Sequence, residues 1–149
     1  MNKVFLCIMD GIGIRKETHG NAVAQANTKT LDYLLNKYPH SLLEASGKNV
    51  GLPAGQMGNS EVGHTNIGAG RIVYQPLELI NTKIKDKTLF QNKNILEVIN
   101  HTKENNSDIH IFGLLSDGGI HSHINHLTAL IDMCKQKKKK NIYLHMFLD

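Results

Sequence analysis

A serine in the first half of the chain lies in a segment whose composition suits phosphate chemistry. The stretch MGNSEVGHTNIGAGR, Met57 to Arg71, is rich in glycine and shows almost no apolar periodicity. Ser60 stands where a helix is predicted to begin, and the commonest role of a serine there is to cap the helix. The alternative is a nucleophile at the positive end of the helix, where backbone N–H groups can receive a phosphoryl oxyanion.

Two apolar segments end in Asp-Gly, at Asp10 in MDGIG and at Asp117 in SDGG. Ligands gather at the carboxyl ends of parallel strands, where a carboxylate offers oxygen atoms to a hard cation such as Mg²⁺ or Mn²⁺. Asp-Gly is also ordinary turn chemistry, which is the more frequent role of either aspartate taken alone. A metal held partly by Asp10 would activate the Ser60 hydroxyl, but the sequence does not show that the two residues meet.

The segment HSHINH brings three histidines together, at His121, His123 and His126. A zinc site is one interpretation, because histidine is the commonest transition-metal ligand. However, no cysteine or acidic residue stands at finger spacing, and the three histidines do not share one helical face. We therefore expect His121 to face a ligand from the loop and the other two to cap or orient the following helix.

Nucleotide-binding and nucleic-acid-binding signatures are weak. GQMGNSEV lacks the Gly-Lys-Ser/Thr ending of a P-loop, and GIGIRK lacks the third glycine of a dinucleotide turn, which argues against ATP and NAD. The net charge of +4 depends on the run KQKKKK at 135–140. This run follows a predicted helix and precedes a strand, so we interpret it as a solvated helix end and expect no nucleic-acid partner.

The elements that must position these residues alternate between strands and helices, which predicts an α/β protein with a mostly parallel sheet flanked by helices. Apolar runs predict strands at 3–10, 41–46, 108–119 and 141–149. Helical spacing predicts helices over 21–38, 60–71, 76–86, around 95–99 and over 124–134.

Length and composition, 149 residues with 40% hydrophobic and 20% charged, describe one ordinary globular domain or pieces of two. No apolar run approaches the roughly 18 residues of a membrane span, and no membrane partner is expected. The first apolar run ends in Asp10 rather than a cleavage site, which predicts a strand and not a signal peptide. Cys7 and Cys134 are expected to be buried thiols, which suggests a cytoplasmic protein.

Four segments occur in an order that resembles the N-terminal part of the cofactor-independent (2,3-bisphosphoglycerate-independent) phosphoglycerate mutases, in the alkaline phosphatase superfamily. They are MDGIG, GNSEVGHTNIGAGR, SDGGIHSHINHL and HMFLD. The resemblance covers essentially the whole chain but only the first part of the family's length. It implies an alkaline-phosphatase-like first part over residues 1–75, followed over 76–149 by the start of an inserted α/β phosphotransferase domain.

The resemblance also implies an isomerase that interconverts 3-phosphoglycerate and 2-phosphoglycerate in glycolysis and gluconeogenesis. Ser60 would be the nucleophile that forms a phosphoserine, Asp10 and Ser60 would bind one of two Mn²⁺ ions, and His121 would bind substrate. Mg²⁺ or another divalent ion could replace Mn²⁺, and 2,3-bisphosphoglycerate would not be required. The full-length enzyme is expected to be a monomer whose partner is its small-molecule substrate.

Most of the family's metal ligands and substrate arginines have no counterpart up to Asp149, so we expect activity in a longer protein and none in this chain alone. Two other interpretations remain open. One is another phosphomutase or a metal-dependent phosphohydrolase of the same superfamily, and the other is a non-catalytic module that binds an anion or a partner. The product separates the two enzymes, because a phosphohydrolase releases inorganic phosphate.

Overall fold

The computed structural model describes residues 3–148, in which helices and a parallel strand pair alternate along the second half of the chain. The α-helices are α1 (Ala22–Gln25), α2 (Lys29–Lys37), α3 (Ser60–Ala69), α4 (Pro76–Lys85), α5 (Lys93–Glu104) and α6 (Ile124–Gln136). The strands are β1 (Ile109–Leu115) and β2 (Ile142–Leu148), and 3-10 helices span Gly47–Val50 and Thr88–Gln91. The predicted α/β class is confirmed.

The sheet consists of β1 and β2, which run parallel with Ile109 opposite Ile142 and Leu115 opposite Leu148. Parallel neighbours cannot be joined by a tight turn, and here α6 forms the crossover between them. The strand predicted at 108–119 is present in shortened form, and the strand predicted at 141–149 is present from Ile142 to Leu148, while residue 149 lies outside the described residues. The helices predicted near 60–71, 76–86, 95–99 and 124–134 are also confirmed, as α3, α4, α5 and α6.

The main hydrophobic core lies between one face of this sheet and the two helices α5 and α6. Its buried centre contains Ile99 from α5, Ile109 from β1, and Met133 and Cys134 from α6. Partly buried apolar side chains surround this centre: Phe90, Ile95, Leu96, Ile111 and Ile142. Full burial of a side chain such as Ile99 contributes about 1.5–3 kcal/mol, so this cluster is the main source of packing energy in the second half of the chain.

The strands predicted at 3–10 and 41–46 are absent, and the expected burial of Cys7 is wrong. Phe5 is 90% exposed, Leu43 is 89% exposed, and Cys7 is exposed as well. The backbone hydrogen bonds of a strand are made with a neighbouring strand, and in residues 3–148 the β1–β2 pair is the only ladder. An apolar run without a paired neighbour stays irregular whatever its strand propensity.

The single helix predicted over 21–38 is divided in two. Asn21 caps α1 by accepting a hydrogen bond from the Ala24 N–H, and the chain becomes extended at Ala26 before α2 begins. The end of α2 is as predicted, because Tyr38 is extended and precedes Pro39, whose ring disfavours helical backbone in the residue before it.

A second, smaller cluster joins the first 3-10 helix to α3 through the buried side chains of Val50, Leu52 and Val62. The backbone continues from there to α4, and the Gln75 N–H donates to the Gly51 carbonyl at 2.8 Å. The predicted domain boundary between residues 75 and 76 stays a prediction. None of the helices within residues 3–148 combines the length and apolar character needed to cross a bilayer.

Truncation of Ile99 should show that the α5–α6–sheet cluster dominates stability. Ile99→Ala removes a side chain that is only 2% exposed, and it should lower the free energy of unfolding by about 2–5 kcal/mol. The adjacent Val98 is 57% exposed, and Val98→Ala should change that free energy by no more than about 0.5 kcal/mol. Urea unfolding of both variants measures the difference, and equal losses would contradict the assignment of the core.

Candidate active site

Asp10 and Ser60, which are 50 positions apart, meet in the structure. The Ser60 hydroxyl donates a hydrogen bond to Asp10 Oδ2 with an Oγ–Oδ2 distance of 2.5 Å. Both side chains are exposed, so an approaching molecule can reach them. Asp10 occupies a turn with Gly11, whose φ of +83° lies in the left-handed region that favours glycine. The structure thus brings together two of the three predicted site residues.

Ser60 is the first residue of α3 and is not its cap. The cap is Asn59, whose side-chain oxygen accepts a hydrogen bond from the Val62 N–H at 3.0 Å. The interpretation of Ser60 as a capping residue is therefore wrong, because the neighbouring amide already fills that role. The Ser60 hydroxyl is left to face Asp10 at the end of the helix where the dipole is positive.

The loop before α3 reaches this position through a close backbone approach at Gly58. A Cβ atom on Gly58 would lie 1.8 Å from the Ala45 carbonyl oxygen, a distance that no side chain tolerates. The same loop is tied to the first 3-10 helix by a hydrogen bond from the Gly47 N–H to the Gln56 carbonyl. The glycine at 58 is thus required by the path of the chain immediately before Ser60.

Asn66 holds the body of α3 between two segments of backbone. Its amide nitrogen donates to the Val50 carbonyl at 3.0 Å, and its amide oxygen accepts from the Val73 N–H at 2.7 Å. Val62, only 2% exposed, packs into the smaller cluster from the same helix. The helix then ends at Ala69, followed by Gly70 with φ of +63°, the usual left-handed C-terminal residue.

His64 is a third polar neighbour of Ser60 that the sequence reasoning missed. Its Nδ1 atom lies 2.8 Å from the Ser60 carbonyl oxygen and 3.2 Å from Ser60 Oγ. The signal was present in the sequence, because residues four apart on a helix share one face. The position of His64 four residues after Ser60 on one helix therefore predicts a contact between the two side chains.

His121 is exposed in the loop between β1 and α6, and no hydrogen bond within residues 3–148 links it to Asp10 or Ser60. Two hydrogen bonds hold this loop, one to β1 and one to Ser116, the residue that follows β1. Ser122 Oγ donates to the Leu114 carbonyl, and the Ile124 N–H donates to the Ser116 carbonyl. The substrate-binding role of His121 stays a prediction.

The other two histidines cap and orient α6, as predicted. His123 is the N-cap residue, and its Nδ1 accepts from the Asn125 N–H at 3.1 Å. His126 Nε2 lies 2.7 Å from the Asn81 amide oxygen, while the Asn81 amide nitrogen donates to Glu78 at 3.2 Å. Because the carboxylate fixes the orientation of the amide, the proton of the neutral His126 ring lies on Nε2. Burial, reinforced by the neighbouring His123, lowers the pKa of His126.

The polar chain that ends at His126 begins in the first 3-10 helix. Glu78 is 5% exposed, and its carboxylate lies 3.9 Å from the Lys48 ammonium group. We call the four contacting residues the α4 polar chain: Lys48, Glu78, Asn81 and His126. The α4 polar chain connects the segment before α3 with α4 and α6.

The Asp10–Ser60 pair offers oxygen donors, which are the atoms that Mg²⁺ and Mn²⁺ prefer. Within the described part of the chain, no three His, Cys, Asp or Glu side chains are grouped so that they could hold a metal ion. The pair therefore fits a hard divalent cation in chemistry, although it can supply only part of a coordination shell.

Comparison with known proteins decides the family. Residues 80–149 match the family model described as BPG-independent PGAM N-terminus. A 2,3-bisphosphoglycerate-independent phosphoglycerate mutase of Listeria monocytogenes serotype 4b (strain F2365) is 60% identical over 146 residues, which are 98% of this chain and 29% of that protein. The protein of the same name from Clostridium perfringens (strain SM101 / Type A) is 55% identical over 98% of this chain and 28% of its own length.

The chain belongs to this mutase family. Its similarity extends over both halves of the chain, since 146 of the 149 residues align with the Listeria relative. The chain spans less than a third of the length of the curated relatives it matches. The resemblance drawn from MDGIG, GNSEVGHTNIGAGR, SDGGIHSHINHL and HMFLD is confirmed at the level of the family.

A methyl group at position 58 should disturb the approach to Ser60, whereas one at position 63 should not. Gly58→Ala forces the backbone near Ala45 to move and should cost about 1–3 kcal/mol of stability. At Gly63, inside α3, an added Cβ atom would meet nothing within 4 Å, so Gly63→Ala should gain up to about 1 kcal/mol. Urea unfolding measures both, and a harmless Gly58→Ala would refute the close approach.

Stability should fall on acidification because of His126. Its pKa is lowered in the folded state, so the unfolded chain, with a histidine pKa near 6.5, binds the proton more readily. The contribution is present above about pH 6.5 and is lost as the pH falls through the lower folded-state value. Urea unfolding between about pH 7.5 and about pH 5 measures this loss.

His126→Gln keeps a donor for Asn81 without an ionisable ring and should flatten that pH dependence. His40→Gln is the matched control, since its ring is exposed and the variant should behave as the wild type does. If both variants retain the wild-type slope, His126 is not the group responsible.

Proposed function

We propose that the full-length gene product interconverts 3-phosphoglycerate and 2-phosphoglycerate in glycolysis and gluconeogenesis, and that this chain supplies the serine that carries the phosphoryl group. The observation that carries the assignment is the 2.5 Å hydrogen bond from Ser60 Oγ to Asp10 Oδ2. Membership in the mutase family supports the choice of reaction, since relatives 55–60% identical bear the name phosphoglycerate mutase.

The start of α3 suits an anionic substrate. The Asn59 side chain bonds to the Val62 N–H, while the N–H groups of Ser60 and Glu61 bond to no other residue in 3–148. Unpaired N–H groups at a helix N-terminus, together with the helix dipole, favour phosphoryl oxygens. A phosphate bound there would also be adjacent to the Ser60 hydroxyl.

In the proposed first step, Ser60 Oγ forms a bond to phosphorus as the bond between phosphorus and the C3 oxygen of glycerate breaks. The hydroxyl proton points to Asp10 Oδ2, so a lone pair of Oγ is available to the incoming phosphorus. In the second step the 2-hydroxyl of glycerate takes the phosphoryl group from the serine. The proton that leaves Ser60 goes to the C3 oxygen, and the proton that leaves the 2-hydroxyl returns to Ser60, so the complete reaction needs no external proton source.

Asp10 and Ser60 would hold a divalent cation, Mn²⁺ or Mg²⁺, through their oxygen atoms. Such an ion, when bound, would lower the pKa of the serine hydroxyl and neutralise charge on the phosphoryl group. We propose that its remaining ligands, and those of a second ion, lie in the part of the relatives' length that this chain does not span.

His121 is proposed to bind the carboxylate or phosphate of the substrate from the loop after β1. We propose that the α6 side of the molecule closes on Ser60 around the bound substrate, with His121 exposed in the loop before α6. Such an approach would exclude water, which would otherwise hydrolyse the phosphoserine.

Replacement of the serine tests the proposal directly. In the full-length gene product, Ser60→Ala should abolish conversion of 3-phosphoglycerate to 2-phosphoglycerate, because no oxygen remains to accept the phosphoryl group. Thr65→Ala, also exposed and on α3, is the matched control and should keep wild-type activity. Mutase activity that survives Ser60→Ala would refute the nucleophile assignment.

The nature of the product separates this function from the phosphohydrolase alternative. The wild-type full-length gene product is incubated briefly with 3-phosphoglycerate and Mn²⁺. Mass spectrometry should then find one phosphoryl group on the peptide that contains Ser60. Phosphorus NMR should then show 2-phosphoglycerate. Release of inorganic phosphate as the main product would favour a phosphohydrolase instead.

A further inference from the structure

The contacts of His64 determine which of its ring nitrogens carries the proton. Nδ1 lies 2.8 Å from the carbonyl oxygen of Ser60, one turn earlier on α3. A carbonyl oxygen only accepts hydrogen bonds, so the contact requires a proton on Nδ1. The neutral ring therefore carries its proton on Nδ1 and its lone pair on Nε2.

That assignment also fixes the hydrogen bonds of the Ser60 hydroxyl. A protonated Nδ1 cannot accept, so at 3.2 Å it shares its proton between the Ser60 carbonyl and Ser60 Oγ. The hydroxyl proton is consequently directed to its other neighbour, Asp10 Oδ2, at 2.5 Å. One arrangement of protons satisfies all three contacts, with Ser60 Oγ accepting from His64 and donating to Asp10.

This arrangement excludes His64 Nδ1 as a general base for Ser60, although a histidine beside a serine suggests that role. It also restrains a short exposed side chain that would otherwise rotate among staggered positions. The hydroxyl is held between a donor on its own helix and an acceptor on the turn at Asp10.

We propose that His64 is a positioning residue, which donates through Nδ1–H to Ser60 Oγ and so holds this oxygen where it faces the phosphoryl group. The proposal rests on the function proposed above, but the proton assignment does not. Loss of the donor should slow phosphorylation of Ser60 without weakening substrate binding, because His64 acts through the serine.

Three variants of the full-length gene product test the role. His64→Leu removes the donor and should lower kcat roughly tenfold with KM unchanged, the loss expected for one positioning hydrogen bond. His64→Asn places an amide N–H near the position of Nδ1 and should restore kcat to within about threefold of wild type. His64→Gln places its amide one bond farther out and should resemble His64→Leu.

A wild-type kcat for His64→Leu, or a kcat for His64→Asn as low as that of His64→Leu, would overturn the positioning role. A general loss of stability would lower the unfolding midpoint of all three variants alike. It would therefore not produce the expected difference in kcat between His64→Asn and His64→Gln.

Nitrogen-15 NMR of the wild-type imidazole tests the proton assignment without any measurement of activity. The spectrum of the neutral His64 ring should show a protonated Nδ1 and an unprotonated Nε2, and the opposite tautomer would overturn the inference. If mutase activity survives Ser60→Ala while the Nδ1–H tautomer is found, the proposed function fails and the geometry of His64 stands.

Discussion

The absence of a side chain at two glycines is the constraint on which the arrangement around Ser60 depends. A Cβ atom at Gly51 would lie 2.0 Å from the Val73 carbonyl oxygen, and one at Gly58 would lie 1.8 Å from that of Ala45. These two contacts allow the backbone before and after α3 to approach neighbouring segments closely enough to fix both ends of the helix. Without them, the backbone on either side of α3 would have to move.

The α4 polar chain connects this first part of the molecule with the helices that cover the sheet. Lys48, Glu78, Asn81 and His126 come from the first 3-10 helix, α4 and α6, and each contacts the next. Buried polar groups are costly when they lack partners, and within residues 3–148 no buried side-chain nitrogen or oxygen is left unpaired. The α4 polar chain thus adds hydrogen bonds to the apolar contacts that fix the direction of α4.

The orientation of the Ser60 hydroxyl depends on three neighbouring side chains. Asn59 caps the helix, so the serine hydroxyl need not, and the hydroxyl contacts His64 and Asp10 instead. A serine with this arrangement at a helix N-terminus differs from an ordinary capping serine, whose oxygen is turned toward the backbone of its own first turn. The distinction supports the proposed role of Ser60 in phosphoryl transfer.

Local sequence was sufficient to predict the helices of the second half and the class of the fold. The backbone bonds of α4, α5 and α6 are made within each helix, so spacing and capping residues contain most of the information needed. The long sequence motifs were also sufficient to identify the family and to select Ser60 and Asp10 as candidate site residues.

Only the tertiary structure decided which predicted elements form and which residues meet. The apolar runs at 3–10 and 41–46 have strand composition but no paired neighbour in the described residues, and so Cys7 is exposed. The contact between Asp10 and Ser60 joins positions far apart in sequence and depends on the backbone path through Gly58. Strand pairing and long-range contacts are properties of two segments together, and the pattern within either segment does not contain them.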